Sequence, residues 1–249
     1  MSRPNSKTAL VTGAAARIGA AITRELHARG CRVLMHYNSS REPAQQLADE
    51  LNAIRADSAT LLQADLACAS ELDALVAQVQ EQCGSLDILV NNASRFYPTD
   101  TGDTLAWQWD DLMQSNLRGP YFLIQGLLQE LRTAAGSVVN ILDVHARKPM
   151  AGHTVYCISK AGLEMMTLSL AMELGPEIRV NGVSPGAILW PEHELDHGDA
   201  QKQDILSRTA LKRIGKASDI ATAVAYLSLD APYVTGQVLA IDGGRSLNM

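Results

Sequence analysis

Tyr156 and Lys160 stand four residues apart in Tyr156-Cys157-Ile158-Ser159-Lys160, inside a stretch of helical periodicity, so both project from one helical face. An ammonium beside a phenol favours the phenolate and lowers its pKa. The tyrosine then becomes a proton donor or acceptor nearer neutral pH. Asp143 lies thirteen residues upstream, in Asn140-Ile141-Leu142-Asp143-Val144-His145. A carboxylate only accepts hydrogen bonds and repels a developing alkoxide. It therefore suits a substrate with N–H donors, or one needing a proton on a ring nitrogen, better than it suits a carbonyl; the plainer role for Asp143 is to cap the segment after it. Near the start of the chain, Thr12-Gly13-Ala14-Ala15-Ala16-Arg17-Ile18-Gly19 joins an apolar run to a helical pattern. Small residues there let the backbone approach a diphosphate, and the helix N-terminus supplies N–H donors and partial positive charge.

The elements that would hold these groups alternate along the chain. Lys7–Val11, Cys31–His36, Ala59–Gln63, Leu86–Val90, Ser137–Leu142, Ile178–Val183 and Gln237–Ile241 read as strands, nearly continuous in apolar character, as in a parallel sheet covered on both faces. Helical patterns fall between them, at about Arg17–Arg29, Arg41–Arg55, Ser70–Gln82, Trp107–Leu131, Thr154–Leu174 and Ser218–Leu229. The alternation predicts an α/β fold: one doubly wound, Rossmann-type parallel sheet of about seven strands with helices on both faces, a single domain over 1–249. The irregular stretch from Ser184 to about Gln201 follows a strand's carboxyl end and is expected to be a substrate lid.

The second strand ends in Met35-His36-Tyr37-Asn38-Ser39-Ser40-Arg41, with no acid before Glu42. An acid there would bind the adenosine ribose hydroxyls and repel a 2′-phosphate. Arg17, Ser39, Ser40 and Arg41 offer charge and hydroxyl donors instead, which favours NADPH. Phe96, one of only two phenylalanines, leaves the fourth strand's carboxyl end and is placed either to stack on a flat substrate or to plug the core beneath the lid.

Of the 249 residues, 47% are apolar and 19% charged, a globular composition, and the net charge of −6 disfavours a broad nucleic-acid footprint. No apolar run approaches the length of a membrane span, and no apolar segment follows the basic residues of the N-terminus. Cys31, Cys68, Cys83 and Cys157 form no C-x-x-C pair, and no His spacing suggests a metal site. Buried thiols in a reducing cytoplasm are expected.

Thr12-Gly13-x-x-x-x-x-Gly19, Asn91-Asn92-Ala93, Tyr156-x-x-x-Lys160, Pro185-Gly186 and Asp242-Gly243-Gly244 occur in the order of the short-chain dehydrogenase/reductases, and the resemblance covers essentially the whole chain. It implies a nicotinamide cofactor and a homotetramer. The cofactor would be held by Gly13, Ile18, Gly19, His36, Tyr37, Asn38, Asp65 and Leu66 at its adenosine and diphosphate end, with Asn92, Ala93, Ser94, Tyr156, Lys160, Pro185 and Gly186 nearer the nicotinamide. Asn116 resembles the family's helix asparagine, which holds a water against the lysine. Three positions depart from the usual pattern: Arg17 and Ser94 stand where Gly is common, and Asp143 where Ser is common.

Those departures, with His36-Tyr37, Ser40 and Asn92-Ala93-Ser94-x-Phe96-Tyr97-Pro98-Thr99, resemble the pteridine reductase branch. Ser39 stands where that branch often has a basic residue. Gly186–Glu192 is similar to bacterial members, including dihydromonapterin reductases. The branch resemblance implies a pterin lying between the nicotinamide and Phe96, contacted by Arg17, Ser94 and Trp190, with Asp143, Tyr156 and Lys160 managing protons. The expected reaction is hydride transfer from NADPH to a dihydropterin. A carbonyl or 3-oxoacyl thioester reductase is the runner-up, and a non-catalytic nucleotide-binding regulator is disfavoured by the intact Tyr156/Lys160 pair.

Overall fold

Seven parallel strands pair in the order β3-β2-β1-β4-β5-β6-β7 in the computed structural model, which describes residues 6–188 and 199–249, with backbone alone for 199–202. The strands are β1 (Thr8–Val11), β2 (Arg32–Tyr37), β3 (Ala59–Gln63), β4 (Ile88–Asn91), β5 (Ser137–Ile141), β6 (Arg179–Pro185) and β7 (Val238–Ile241). Their register is in step: Leu10 pairs with Leu34 on one side and Leu89 on the other, and Val90 pairs with Val139. The predicted strands all form, with ends shifted by a residue or two.

Successive strand residues feed opposite cores. Ala9 and Val11 pack with Ile22, Leu26 and Val224 from α1 (Arg17–Ala28) and α9 (Ala217–Ala225). Leu10 and Leu89 pack with Leu75, Leu123 and Leu163 from α3 (Ala69–Gln82), α5 (Gly119–Gly126) and α7 (Thr154–Glu173). Burial on both faces explains why the strands read as apolar runs without alternation. The strand order reverses between β1 and β4, which opens a crevice at their carboxyl ends. The Thr12–Gly19 turn and the Asn92–Ala93 loop both leave the sheet there.

Several features depart from the sequence reading, among them the expected helix Ser218–Leu229, which ends at Ala225 and passes into a π turn (Tyr226–Asp230). The expected helix Trp107–Leu131 is broken into α4 (Ala106–Met113), a π turn (Gln114–Arg118), α5 and α6 (Leu128–Thr133). The π turn carries Asn116 inward, where its side chain satisfies the backbone of Arg95, and that tertiary demand overrides the α period. The irregular stretch expected over Ser184–Gln201 is narrower at both ends: β6 runs on to Pro185, and α8 (Asp199–Arg208) begins inside it. Residues 189–198, with Trp190, lie outside the described residues. Of the four thiols, Cys31 and Cys83 are buried, whereas Cys68 and Cys157 are only half-buried. Among the described residues no helix is long and apolar enough to cross a membrane, and no His, Cys, Asp and Glu cluster could hold a metal.

Candidate active site

The turn after β1 is built from backbone and small side chains. Thr12 Oγ1 accepts the Asn92 and Ala93 amides at 2.9 and 3.0 Å, and Asn92 Nδ2 donates back to the carbonyls of Thr12 and Gly13. Gly13 is left-handed at φ +63°, and a Cβ there would sit 3.0 Å from Ala93 Cα. A Cβ on Gly19 would lie 1.9 Å from the Gly13 carbonyl oxygen, so only glycine lets the helix start so close to the turn. The first intrahelical bond runs from Ala20 to Ala16. The amides of Arg17, Ile18 and Gly19 therefore precede the α1 ladder and are left without an acceptor among the described residues, an arrangement suited to an anion. Ile18 turns its side chain into the core. Arg17 is exposed and left-handed at φ +52°, a conformation that costs a non-glycine residue roughly 1–2 kcal/mol.

A cavity of about 200 Å³ opens beside this turn. Tyr37, Asn38, Ser39 and Ser40 form one wall, Asp65 and Leu66 another, and Ala93 and Ser94 close its inner end. Arg41 is the first residue of α2 (Arg41–Ile54), and it does not line the cavity. His36 also borders the cavity, but both ring nitrogens are engaged within the chain, with the Gly13 amide at 3.2 Å and the Ala64 carbonyl at 2.9 Å.

Asp65 accepts a two-pronged bond from Arg95 Nη2, at 3.0 and 2.8 Å, and its Oδ1 also accepts the Ala67 amide. Arg95 reaches Asp111 of α4 with its other terminal nitrogen. Asp111 in turn accepts the Tyr97 hydroxyl at 2.8 Å. Arg95 thus braces the loop that carries Ser94 and Phe96. Sequence reasoning missed it, because its two carboxylates come from distant segments.

On the other side of the crevice, β5 ends at Ile141 and hands the chain to Asp143. Tyr156 and Lys160 lie in the first two turns of α7, both buried. The Tyr156 hydroxyl donates to Asp143 Oδ2 at 2.8 Å. Asp143 Oδ1 accepts the His145 amide at 2.9 Å, so the same carboxylate caps the short 3₁₀ turn Val144–Ala146. The capping role considered for Asp143 is filled by one oxygen, and the other oxygen holds the Tyr156 hydroxyl. Lys160 donates to the Ile141 carbonyl at 2.9 Å and lies 5.8 Å from the centre of the Tyr156 ring.

The electrostatics reverse the sequence expectation for Tyr156. Burial first, and then Asp143, push its phenol well above 10, and Lys160 does not offset them. Burial brings the Lys160 ammonium down to about 8, against a smaller upward pull from Asp143. The phenol is therefore held protonated, as a donor. The Asn116 side chain meets Ser94, both backbone groups of Arg95, and Ser159.

Phe96 is 50% exposed and packs edge-on against Tyr156, with ring centres 4.8 Å apart. One of its faces stacks on His153 at 4.8 Å and 15°. That contact argues for a ring at the mouth of the site rather than a core plug. Sequence reasoning gave His153 no role, since no metal-ligand spacing included it. Pro185 and Gly186 lie at the carboxyl end of β6, where a Cβ on Gly186 would meet Asp242 at 2.6 Å.

Comparison with known proteins agrees with this geometry. The model of the family described as Enoyl-(Acyl carrier protein) reductase matches residues 13–246. Pteridine reductase 1 of Leishmania tarentolae is 38% identical over 285 aligned residues, covering 98% of each chain. The 3-oxoacyl-[acyl-carrier-protein] reductase FabG of Staphylococcus aureus is 37% identical over 247 residues, covering 96% of this chain and 98% of its own. The uncharacterized oxidoreductase YmfI of Bacillus subtilis is 32% identical with similar coverage. With the glycine turn at the strand-order reversal and the Tyr156/Lys160 pair beside β5, these end-to-end matches show that the chain belongs to the short-chain dehydrogenase/reductase family of oxidoreductases.

Proposed function

We propose that the protein is an NADPH-dependent pteridine reductase. The observation that carries this reading is the hydrogen bond from Tyr156 to Asp143, where a carboxylate occupies the position that would otherwise face the substrate with a hydroxyl. The name of the 38%-identical Leishmania relative supports the same substrate class.

The residues present fit a dinucleotide. Gly13 and Gly19 leave no room for a Cβ, the first amides of α1 are free of the helix ladder, and no acid ends β2. Ser39, Ser40 and Arg17 would meet the 2′-phosphate, Leu66 and Asp65 the adenine, and Ala93, Ser94 and Lys160 the nicotinamide half. Asp65 has most of its lone-pair capacity taken by Arg95 and Ala67, so its share is small.

When bound, the reduced nicotinamide supplies the hydride for a ring carbon of the dihydropterin. Tyr156 holds the proton at Oη and delivers it to the adjacent ring nitrogen. Burial and the Asp143 carboxylate keep that proton in place until a better acceptor arrives, and the same carboxylate draws the next proton back to Oη. Phe96, fixed by His153 on one face, presents its other face to the flat substrate. Lys160, tied to the Ile141 carbonyl, sets a buried ammonium beside Tyr156 on the side where the nicotinamide half would lie.

A second reading, reduction of 3-oxoacyl thioesters, is favoured by the similarity to the Staphylococcus relative. Asp143 opposes it, because a carboxylate repels the alkoxide such a substrate forms. NADPH oxidation against a panel of dihydropterins, dihydrofolate, simple ketones and an acetoacetyl thioester separates the two, with turnover on dihydropterins alone expected.

The assembly is proposed to be a cytoplasmic homotetramer. Trp107, Tyr121, Met165 and Met172 are exposed on α4, α5 and α7, and the edge strand β7 leaves Leu239 open. Light scattering at micromolar protein should give four times the chain mass; a monomer would refute this.

A further inference from the structure

His36 is the last but one residue of β2 and is 1% exposed. Its surroundings fix its tautomer. The Ala64 oxygen, 2.9 Å from Nε2, is a carbonyl and can only accept, so Nε2 carries the hydrogen. Nδ1 is then the bare nitrogen, and it receives the Gly13 amide at 3.2 Å. The backbone carbonyl of the same residue receives the next amide, Ala14, at 2.9 Å. One residue therefore takes two consecutive N–H groups of the glycine turn. Its ring also reaches the segment that leaves β3 just before Asp65 and Leu66.

Two consequences follow. Gly13 at φ +63° has no side chain to fix it, so the conformation of the turn depends on where its amide finds an acceptor. With the Gly13 and Ala14 amides spent on His36, the amides from Ala15 to Gly19 have no acceptor among the described residues and remain as donors at the start of α1. Burial keeps the imidazole below its ordinary pKa and so neutral. A protonated ring would set N–H against N–H at Gly13.

We infer that His36 is a positioning residue for the dinucleotide: it acts through the Gly13 amide to hold the glycine turn in its anion-binding shape, and it does not ligate the cofactor itself. The inference rests on reading the Thr12–Gly19 turn as the diphosphate site, and it is independent of the substrate.

The test compares His36→Leu, which fills the space without an acceptor, with His36→Asn, whose Oδ1 stands near the place of Nδ1. Calorimetry would give affinities for NADP⁺, NAD⁺ and adenosine 2′-monophosphate, which lacks the diphosphate. Thermal melts would check folding. His36→Leu should weaken NADP⁺ and NAD⁺ alike, by tenfold or more, and change adenosine 2′-monophosphate by less than threefold. His36→Asn should bring both dinucleotides to within about threefold of wild type. If His36→Leu does not fold, the recovery by His36→Asn carries the test. The inference is overturned if His36→Leu binds dinucleotides as wild type does, if it loses the mononucleotide equally, or if a folded His36→Asn fails to recover binding. Failure of the diphosphate reading itself would look different: wild type would bind neither dinucleotide.

Discussion

The phenolic oxygen of Tyr156 lies 2.8 Å from Oδ2 of Asp143, and it donates to a carboxylate whose other oxygen is already fixed by the His145 amide. The carboxylate cannot turn away without uncapping the 3₁₀ turn. Asp143 is therefore a fixed acceptor, and it raises the phenol above what burial alone would do. Asp143→Asn keeps the shape and removes the charge. The Tyr156 pKa should fall in that variant, as read by pH titration of the tyrosine absorbance. An unchanged titration would mean that burial alone sets the proton.

Lys160 loses its proton at about 8, because burial penalises the ammonium. Below that pH it carries a positive charge beside Tyr156, where the proposed cofactor would lie, and above it the charge is gone. The Kd for NADPH, whose charges are all negative, should therefore rise as pH climbs through about 8, and Lys160→Met should abolish that dependence. Stability runs the other way. The folded chain gives up this proton before the unfolded chain does, so folding stability gains from this group as pH rises from about 8 toward the free-lysine value of 10.5. Lys160→Met should accordingly melt a few degrees higher than wild type at neutral pH while losing turnover. A lower melting point would show that the bond to Ile141 outweighs the buried charge.

Arg17 holds a left-handed backbone where glycine would be relaxed. Both Arg17→Ala and Arg17→Gly should weaken NADPH relative to NADH, by roughly 1.5–3 kcal/mol for a lost charge-assisted bond. Only the glycine variant also releases strain, so it should melt above the alanine variant by a few degrees. Equal losses for both cofactors would remove the 2′-phosphate role, and equal melting points would remove the strain.

Much of this site was legible in the sequence for specific reasons. The β1 run into Thr12-Gly13 was readable because a buried parallel strand is apolar at every position. The lone substitution of Asp143 for a hydroxyl was readable because residue chemistry does not depend on fold detail. The protonated state of Tyr156 was not readable, since it depends on how deeply the fold buries the phenol and on Asp143 meeting its hydroxyl. Nor was Arg95, whose partners Asp65 and Asp111 lie 30 and 16 residues away. The π turn at Gln114–Arg118 was hidden because an apolar stripe shows where a helix faces, not where its ladder widens. The start of α8, Asp199-Ala200-Gln201-Lys202-Gln203-Asp204, carries no apolar stripe at all.

Phe96 is half-exposed, stacked on His153 and perpendicular to Tyr156, so the ring is held ready rather than recruited. Phe96→Ala should raise KM for a dihydropterin several-fold, since such stacking is worth about 0.5–1.5 kcal/mol beyond area burial. NADPH affinity should hardly change. His153→Ala should raise KM less, by freeing the ring without removing it. Collapse of NADPH binding in Phe96→Ala would place the ring in the core instead.

The central claim is that the carboxylate of Asp143 selects a pterin over a carbonyl. The most direct measurement is kcat/KM for a dihydropterin and for an acetoacetyl thioester, with NADPH, in wild type and Asp143→Ser side by side. Wild type should turn over only the dihydropterin. The variant should lose that activity by about 10²-fold or more, the scale of a positioned acid–base group, with NADPH affinity unchanged and a trace of thioester reduction gained. A wild type that prefers the thioester, or a serine variant that reduces dihydropterin as well as wild type, would contradict the account.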